Sequence, residues 1–438
     1  MVINYVTEKP LTNEMRKNMA GINSFKIKNF LKKKDAEQDK REVNIEKFNG
    51  NNEQASDDKS MHSKIARHKI LIFYKTCLGV AGCILAVFCI YVYWKNIVYT
   101  DYEVRQQYEW TRSSESSSIN LNGVLFTYSK DGMSCTDTRG KVIWNQTYEM
   151  QDPIMRSSES VVAVGDYNGR SIYVSDTSGN LGTIETTMPI RDFCVSANGV
   201  VAAVLDDATV TAIYLYNVSG EQLAYFKTTM SKSGYPLAIA ISDDGTQVAV
   251  SYLKADNGAM SSNIGFYNFS SVGQNYTDNL VGGYGYTDAV VPLVDFMGNN
   301  TVFAVADNRL MFYQGKQKPV NTADILISDE IQSVFYDNNH VGLVYYNVSG
   351  DTMYRMDVYD TNAKKIKEIA FDMEYDEILF DNSGIVIYNE ENCIIYDWNG
   401  KLKYNGSFKE PVECVIPSGS ISKYTLVTNN SIQMIQLQ

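Results

Sequence analysis

Histidine is nearly missing from this chain: among 438 residues there are three, His62, His68 and His340. With a single histidine beyond residue 75, imidazole-based acid–base catalysis and multi-histidine metal sites have almost no material. Proline occurs eight times and tryptophan four. Beyond Ser113 no stretch carries the 3.6-residue spacing of a long amphipathic helix, which excludes helical bundles and α/β sheets. No glycine-rich run is followed by Lys-Ser/Thr, so there is no phosphate loop. The seven cysteines show no metal-ligand spacing. Cys77, Cys83 and Cys89 fall in one apolar run. Cys135, Cys194, Cys393 and Cys414 sit in strand-like contexts, as buried thiols or in one of three pairings.

What is present divides in two by charge. Residues 1–75 hold 16 Lys/Arg against 10 Asp/Glu, whereas 76–438 hold 23 against 41; a net of −12 becomes +6 and −18. An acidic body is a poor surface for nucleic acid, so no nucleic-acid partner is expected.

The sign changes at a charge-free run, TCLGVAGCILAVFCIYVYW, from Thr76 to Trp94. As a helix these residues extend about 28 Å, close to the hydrocarbon thickness of a bilayer. Cys77, Leu78, Val80, Ile84, Leu85, Val87, Phe88 and Ile90 would face lipid, and Tyr91, Tyr93 and Trp94 form an aromatic end suited to the headgroup region. Lys59, Lys64, Arg67, Lys69 and Lys75 precede the run, and Lys95, Arg105 and Arg112 follow it. That bias predicts an uncleaved signal anchor over residues 70–95 in a cell membrane. The N-terminus is then cytoplasmic and the C-terminal part extracytoplasmic, joined by a juxtamembrane linker or closing strand at 96–112.

Residues 1–69 read as a largely disordered basic tail. NGNNEQASDDKS, Asn49 to Ser60, has too little apolar content to offset the entropy of ordering. Near its middle Lys32, Lys33 and Lys34 stand beside Phe25, Ile27, Phe30 and Leu31, a mixture able to touch an anionic inner leaflet at about 1 kcal/mol per basic residue.

From 113 to 438 short Val/Ile/Tyr/Phe/Ala runs alternate with Asn/Asp/Gly/Ser turns. One turn class occurs eight times, around Gly123, Ser158, Gly199, Gly245, Asn300, Asn339, Gly384 and Gly419. A second occurs seven times, at Asp137, Asp176, Asn217, Asn268, Gln314, Asp360 and Asp397, with spacings from 37 to 51 residues. A period near 40 to 45 with four strands per unit predicts an all-β fold, a β-propeller of four-stranded blades. Eight blades fit the count, with seven as the alternative because the 245–300 interval is long. The last unit stops after its third strand, and TDYEVRQQYEW, Thr100 to Trp110, can supply the fourth.

Turns such as ISDDGTQVAVSY, Ile241 to Tyr252, and VYDTNAKKIKEI, Val358 to Ile369, resemble those of the broad WD40/PQQ-like propeller superfamily. With its tail and span the chain looks like single-pass propellers of low-GC Gram-positive bacteria. The resemblance implies a repeat architecture and brings no activity with it. The strict Gly-His and Trp-Asp dipeptides and the tryptophan pattern of quinone enzymes are absent.

Candidate chemistry is sparse. His340 reads as a solvated turn residue, and Asp206-Asp207 and Asp243-Asp244 as turn formers rather than cation ligands. VGGYGYTD, Val281 to Asp288, reads as a flexible connection whose Tyr284 and Tyr286 could contact a ligand. No catalytic residue, cofactor or metal is expected. The composition favours a membrane-tethered binding or scaffold module for an envelope protein, peptide or glycan, not an enzyme. The alternative is a carbohydrate-active propeller using paired carboxylates.

Overall fold

The computed structural model describes residues 54–111, 116–207, 210–228, 233–256, 258–348 and 350–438. Lys32, Lys33 and Lys34 lie outside them. The chain divides into two compact units, one ending at Val92 and one starting at Tyr93.

The first unit contains α1, Gln54–Lys95, as far as Val92; the last three residues of the helix belong to the second unit. Within it Arg67–Tyr93, 27 residues, is long and apolar enough to cross a membrane, with none of its most apolar stretch buried. Cys77, Leu78, Val80, Ile84, Leu85, Val87, Phe88 and Ile90 all fall in this stretch, exposed, and α1 extends through Trp94. The helix begins earlier than expected: Gln54–Ser60, read as disordered, is helical. A long apolar helix provides the nucleus, and Ala55, Lys59, Met61 and Lys64 are residues through which a formed helix propagates cheaply.

The second unit is an eight-bladed propeller of four-stranded antiparallel sheets. Strands are numbered β1 to β32 along the chain. Seven blades take four consecutive strands each, beginning with β2 (Ser117–Leu121). In the eighth, β30 (Val412–Ser420), β31 (Lys423–Thr428) and β32 (Ser431–Leu437) are completed by β1 (Tyr102–Glu109), which runs antiparallel to β32 from Tyr102↔Leu437 to Glu109↔Ser431. The predicted terminal exchange therefore closes the ring: β1 covers β32 and becomes the outer strand of the last blade. The long 245–300 interval is one enlarged blade. Its β15 (Gln247–Asp256) and β16 (Ala259–Asn268) have ten residues each, and two 3₁₀ turns, Gly273–Asn275 and Thr277–Asn279, precede β17 (Leu280–Tyr286).

Second strands lie inside each sheet and between neighbouring sheets, so both their faces are covered. β11 (Val201–Asp206, VAAVLD), β19 (Thr301–Val305, TVFAV) and β27 (Gly384–Tyr388, GIVIY) are accordingly buried along almost their whole lengths. Each such Val, Ile or Phe contributes roughly 1.5–3 kcal/mol. The apolar clusters form between blades: Ala240, Ala249, Ile264 and Phe266 of the fourth pack on Val294, Phe296, Val302 and Met311 of the fifth.

The second turn class joins third to fourth strands with one repeated geometry. In blades 1, 3, 6 and 7 the side-chain oxygens of Asp137, Asn217, Asp360 and Asp397 accept from the N–H groups two and four residues on, at 2.8–3.0 Å. The residue between those donors, Gly140, Gly220, Ala363 or Gly400, takes φ between 61° and 80°, which is why glycine predominates there.

Two local expectations are corrected. Val281–Tyr286 is not a flexible loop but most of β17, an outer strand, because its alternate residues face the interblade core. Tyr284 packs against that core and its hydroxyl donates to the Pro319 carbonyl at 3.2 Å, while Tyr286, 9% exposed, shares a 2.5 Å hydrogen bond with Tyr313. His340 is not a free turn residue: it opens β23 (His340–Tyr346) and stacks on Trp398 at 4.4 Å, with Nδ1 3.1 Å from Asp337 Oδ1. All seven cysteines carry free thiols.

Candidate functional site

First strands of the blades line the propeller axis, and their alternation sends every second side chain inward. In β10 (Ile190–Val195) Phe193 is buried between blades while Asp192 faces the axis. In β18 (Leu293–Met297) Val294 and Phe296 are buried and Asp295 faces the axis. The result is an axial cavity of about 930 Å³ walled by six blades.

Its charged groups come from distant parts of the chain. Arg156, in β6 (Pro153–Ser158), donates from Nη2 to Asp192 Oδ1 at 2.9 Å. The Ser158 hydroxyl donates to Asp243 Oδ1 at 3.2 Å, joining the second blade to the fourth across the third. Asp295 accepts the Phe296 N–H at 2.7 Å. Burial raises the Asp295 carboxyl to about 6, a rise that Asp243 reinforces, while the Tyr336 hydroxyl, the Phe296 N–H and Arg156 oppose it. Tyr336, the last residue of β22 (Ile331–Tyr336), is 42% exposed to the cavity yet ringed by protein, and burial pushes its hydroxyl up. The cavity thus combines an ion pair, a carboxylate held by a hydroxyl, and a carboxyl that titrates near neutrality. It can hydrogen-bond a polar ligand from several sides.

Two further recesses flank it. One of about 510 Å³, between β2 and the last two blades, is lined by Asp376, Glu377, Glu390 and Glu413 beside Val412 and Val415. Burial raises the Glu377 carboxyl there. The other, also about 510 Å³, holds His340, Trp398, Phe380, Lys367 and Asp381 on the rim. Among the described residues no cluster of three His, Cys, Asp or Glu side chains is arranged for a metal. Asp207 and Asp244 accept hydrogen bonds from Val210 N–H and Thr246 N–H in their own turns.

Of these axial residues only Asp243 stands out in the sequence, as half of an Asp-Asp turn; Arg156, Asp192, Asp295 and Tyr336 do not. The available signal was a charge placed inside an otherwise apolar first strand, as in IMRSS, IRDFC and LVDFM. Tyr284 and Tyr286, which were marked, lie on an outer strand and are occupied in packing.

The chain is similar to several solved structures. BamB from Moraxella catarrhalis aligns over 77% of this chain and 100% of its own at 11% identity with a TM-score of 0.45. A eukaryotic initiation factor aligns over 75% and 87% at 14% identity with a TM-score of 0.50. Sqt1 of Chaetomium thermophilum aligns over 76% and 98% at 11% identity with a TM-score of 0.48. No curated protein matches. The family model described as a family of unknown function, DUF5711, matches residues 95–437, and the chain belongs to that family.

Proposed function

We propose that this chain is a single-pass membrane protein with a cytoplasmic N-terminus, whose extracytoplasmic propeller binds an envelope protein, peptide or glycan through its axial cavity. The observation that carries the reading is the convergence of Arg156, Asp192, Asp243, Asp295 and Tyr336 from five blades on one cavity. A ring fold that served only as a spacer would have no need to place charges on its axis, where they cost desolvation. The apolar, unburied stretch Arg67–Tyr93 supports the anchor, and the flanking basic residues support its orientation. The acidic body argues against nucleic acid as partner.

The test is crosslinking in membranes followed by pull-down, with the parent chain beside Arg156→Ala and Asp295→Asn. Binding through the axis predicts that the partner is captured by the parent and lost from both variants; equal capture by all three overturns it. Protease added to intact cells should digest 96–438 and spare the N-terminal region, and the reverse pattern overturns the orientation.

A second reading, carbohydrate-active catalysis, has one observation in its favour. Burial raises the Asp295 carboxyl to about 6, and the neighbouring Asp243 reinforces the rise, so two carboxyl groups share the cavity, as glycoside hydrolysis requires. Turnover of a glycan that Asp295→Asn abolishes while binding persists would establish it; binding without turnover in the parent supports the module.

A further inference from the structure

The axial cavity and the rim recess share a wall. In the sixth blade β22 and β23 are joined through Asn338 and Asn339, and both Asp337 and Asn339 line the cavity of about 930 Å³ as well as the recess of about 510 Å³. The turn is closed tightly. The Asp337 N–H donates to the His340 carbonyl at 3.0 Å, and the Asp337 carboxylate accepts the Asn339 and His340 N–H groups at 2.8 and 2.6 Å. Tyr336, on one side of the turn, lines the axis, and His340, on the other, lines the recess. A single hairpin therefore separates the two hollows, and an extended ligand chain spans it with two or three residues, at about 3.3 Å each.

The hollows differ in chemistry. Five carboxylates line the axial cavity, Glu159, Asp192, Asp243, Asp295 and Asp337, against one guanidinium, that of Arg156. Arg156 is engaged by Asp192 at 2.9 Å, and His340 Nδ1 lies 3.1 Å from Asp337 Oδ1. Glu159, Asp243 and Asp295 have no ion-pair partner among the described residues. Asp295 shows the consequence: burial raises its carboxyl to about 6, and Asp243 adds to the rise. A cation placed in the cavity offsets that repulsion. The recess is aromatic instead. His340 stacks on Trp398 at 4.4 Å, and Phe380 lies 5.6 Å from the imidazole and 6.2 Å from the indole, with Ile366 beside them. The Trp398 N–H donates to the Asp381 carbonyl at 2.8 Å, which fixes the indole. Gly342 makes the room for Phe380, since a Cβ there would come within 2.7 Å of its ring.

We infer that the axial cavity and the recess are two subsites of one peptide site: the cavity takes a lysine or arginine side chain, and the recess takes an apolar or aromatic side chain two or three residues along. The inference rests on the reading that the propeller binds its partner through the axis, and it names the chemistry of that partner. The surplus of carboxylates attracts a cation and repels an acidic ligand. Both volumes lie in the range of ligand pockets, and the ring cluster offers an apolar side chain a large, fixed contact area. Between the subsites the exposed amides of Asn338 and Asn339 carry both donors and acceptors for a peptide backbone crossing the turn. A peptide supplies a cation and an apolar group at this spacing, whereas glycans present mainly hydroxyls and are more often neutral or acidic.

The experiment photolabels the full chain in detergent with nine-residue peptides of glycine and serine that carry one lysine and, two residues on, one p-benzoylphenylalanine. Adducts are mapped by mass spectrometry. Saturable labelling is expected within 337–340, 380–382 and 398, falling by about tenfold or more when Nε-acetyl-lysine or glutamate replaces the lysine. Asp243→Asn combined with Asp295→Asn should erase the preference for lysine, with a thermal melt no lower than the parent's showing an intact ring. His340→Ala should reduce labelling of the recess and keep the preference for lysine. No labelling of the recess, equal labelling by the lysine and glutamate peptides, or adducts spread over the ring overturns the inference. Capture of the membrane partner by the parent and by Asp295→Asn is measured alongside. Capture lost in that variant without lysine-dependent labelling overturns the inference and leaves axial binding standing; equal capture overturns axial binding, and the inference with it.

Discussion

Truncating Tyr102 to alanine should open the seam at which the ring closes. Tyr102 is 2% exposed and packs with Tyr404, Tyr424, Val412 and Leu437, between the seventh blade and the eighth. Its hydroxyl accepts the Lys409 N–H at 2.9 Å, its carbonyl accepts Lys409 Nζ at 2.8 Å, and that ammonium lies 4.5 Å from the ring centroid. Removing the ring costs about 3–5 kcal/mol in transfer and cavity terms, and the Lys409 amide left without its acceptor adds about 1 kcal/mol. For a domain of this size 1 kcal/mol moves Tm by about 2 °C, so a fall of roughly 8–12 °C is expected. Tyr102→Phe keeps the ring and loses only the hydroxyl, about 1–2 kcal/mol. Gln107→Ala, exposed on the same strand, should stay within about 0.5 kcal/mol. Thermal melts of the full chain in detergent, followed at a strand-sensitive far-ultraviolet wavelength, give the ranking. If Tyr102→Ala melts with the parent, β1 does not close the ring and the seam described above is wrong.

Three other outcomes follow from the same geometry. A Cβ on Gly182, in the outer strand of the second blade, would lie 1.8 Å from the Val218 carbonyl oxygen, so Gly182→Ala should melt well below the parent. Gly283→Ala, whose Cβ would meet only the Ile264 carbonyl at 3.9 Å, should cost far less. Asp295 binds its proton more tightly folded than unfolded, its carboxyl rising from 3.8 to about 6; the stability this represents is complete below about pH 3.8 and is lost as pH climbs through 6. Asp295→Asn should therefore be more stable than the parent at neutral pH and indistinguishable from it near the acid limit, and parallel pH–Tm curves would refute the shift. Burial raises the Cys135 thiol to about 11 and the Cys414 thiol to about 12, and Cys393 higher still. A charged maleimide should label these three only after unfolding.

Several features were legible because their causes are local. An Asp or Asn, two residues and then a residue at positive φ build the outer turn wherever they occur, so Asp137, Asn217, Asp360 and Asp397 announced strand pairs without reference to anything distant. The terminal exchange was readable too, since a last unit ending at its third strand requires a fourth from elsewhere. Other features escaped. Val281–Tyr286 looked like a loop because glycine dominates it, yet an outer strand tolerates glycine, and the two tyrosines stay fixed by Tyr313 and Pro319. The helix start at Gln54 was missed because propagation from an apolar segment outweighs the weak preference of a polar one.

By itself the sequence determined the repeat, the strand count, the turn chemistry, the apolar run at Thr76–Trp94 and the sign of charge on each side of it. All of these depend on residues a few positions apart. Only the tertiary structure decided which charges meet. Arg156, Asp192, Asp243, Asp295 and Tyr336 are dozens of residues from one another, and they converge because eight blades leave an axial space into which alternate side chains of the first strands, and Asp243 from the turn after one of them, project.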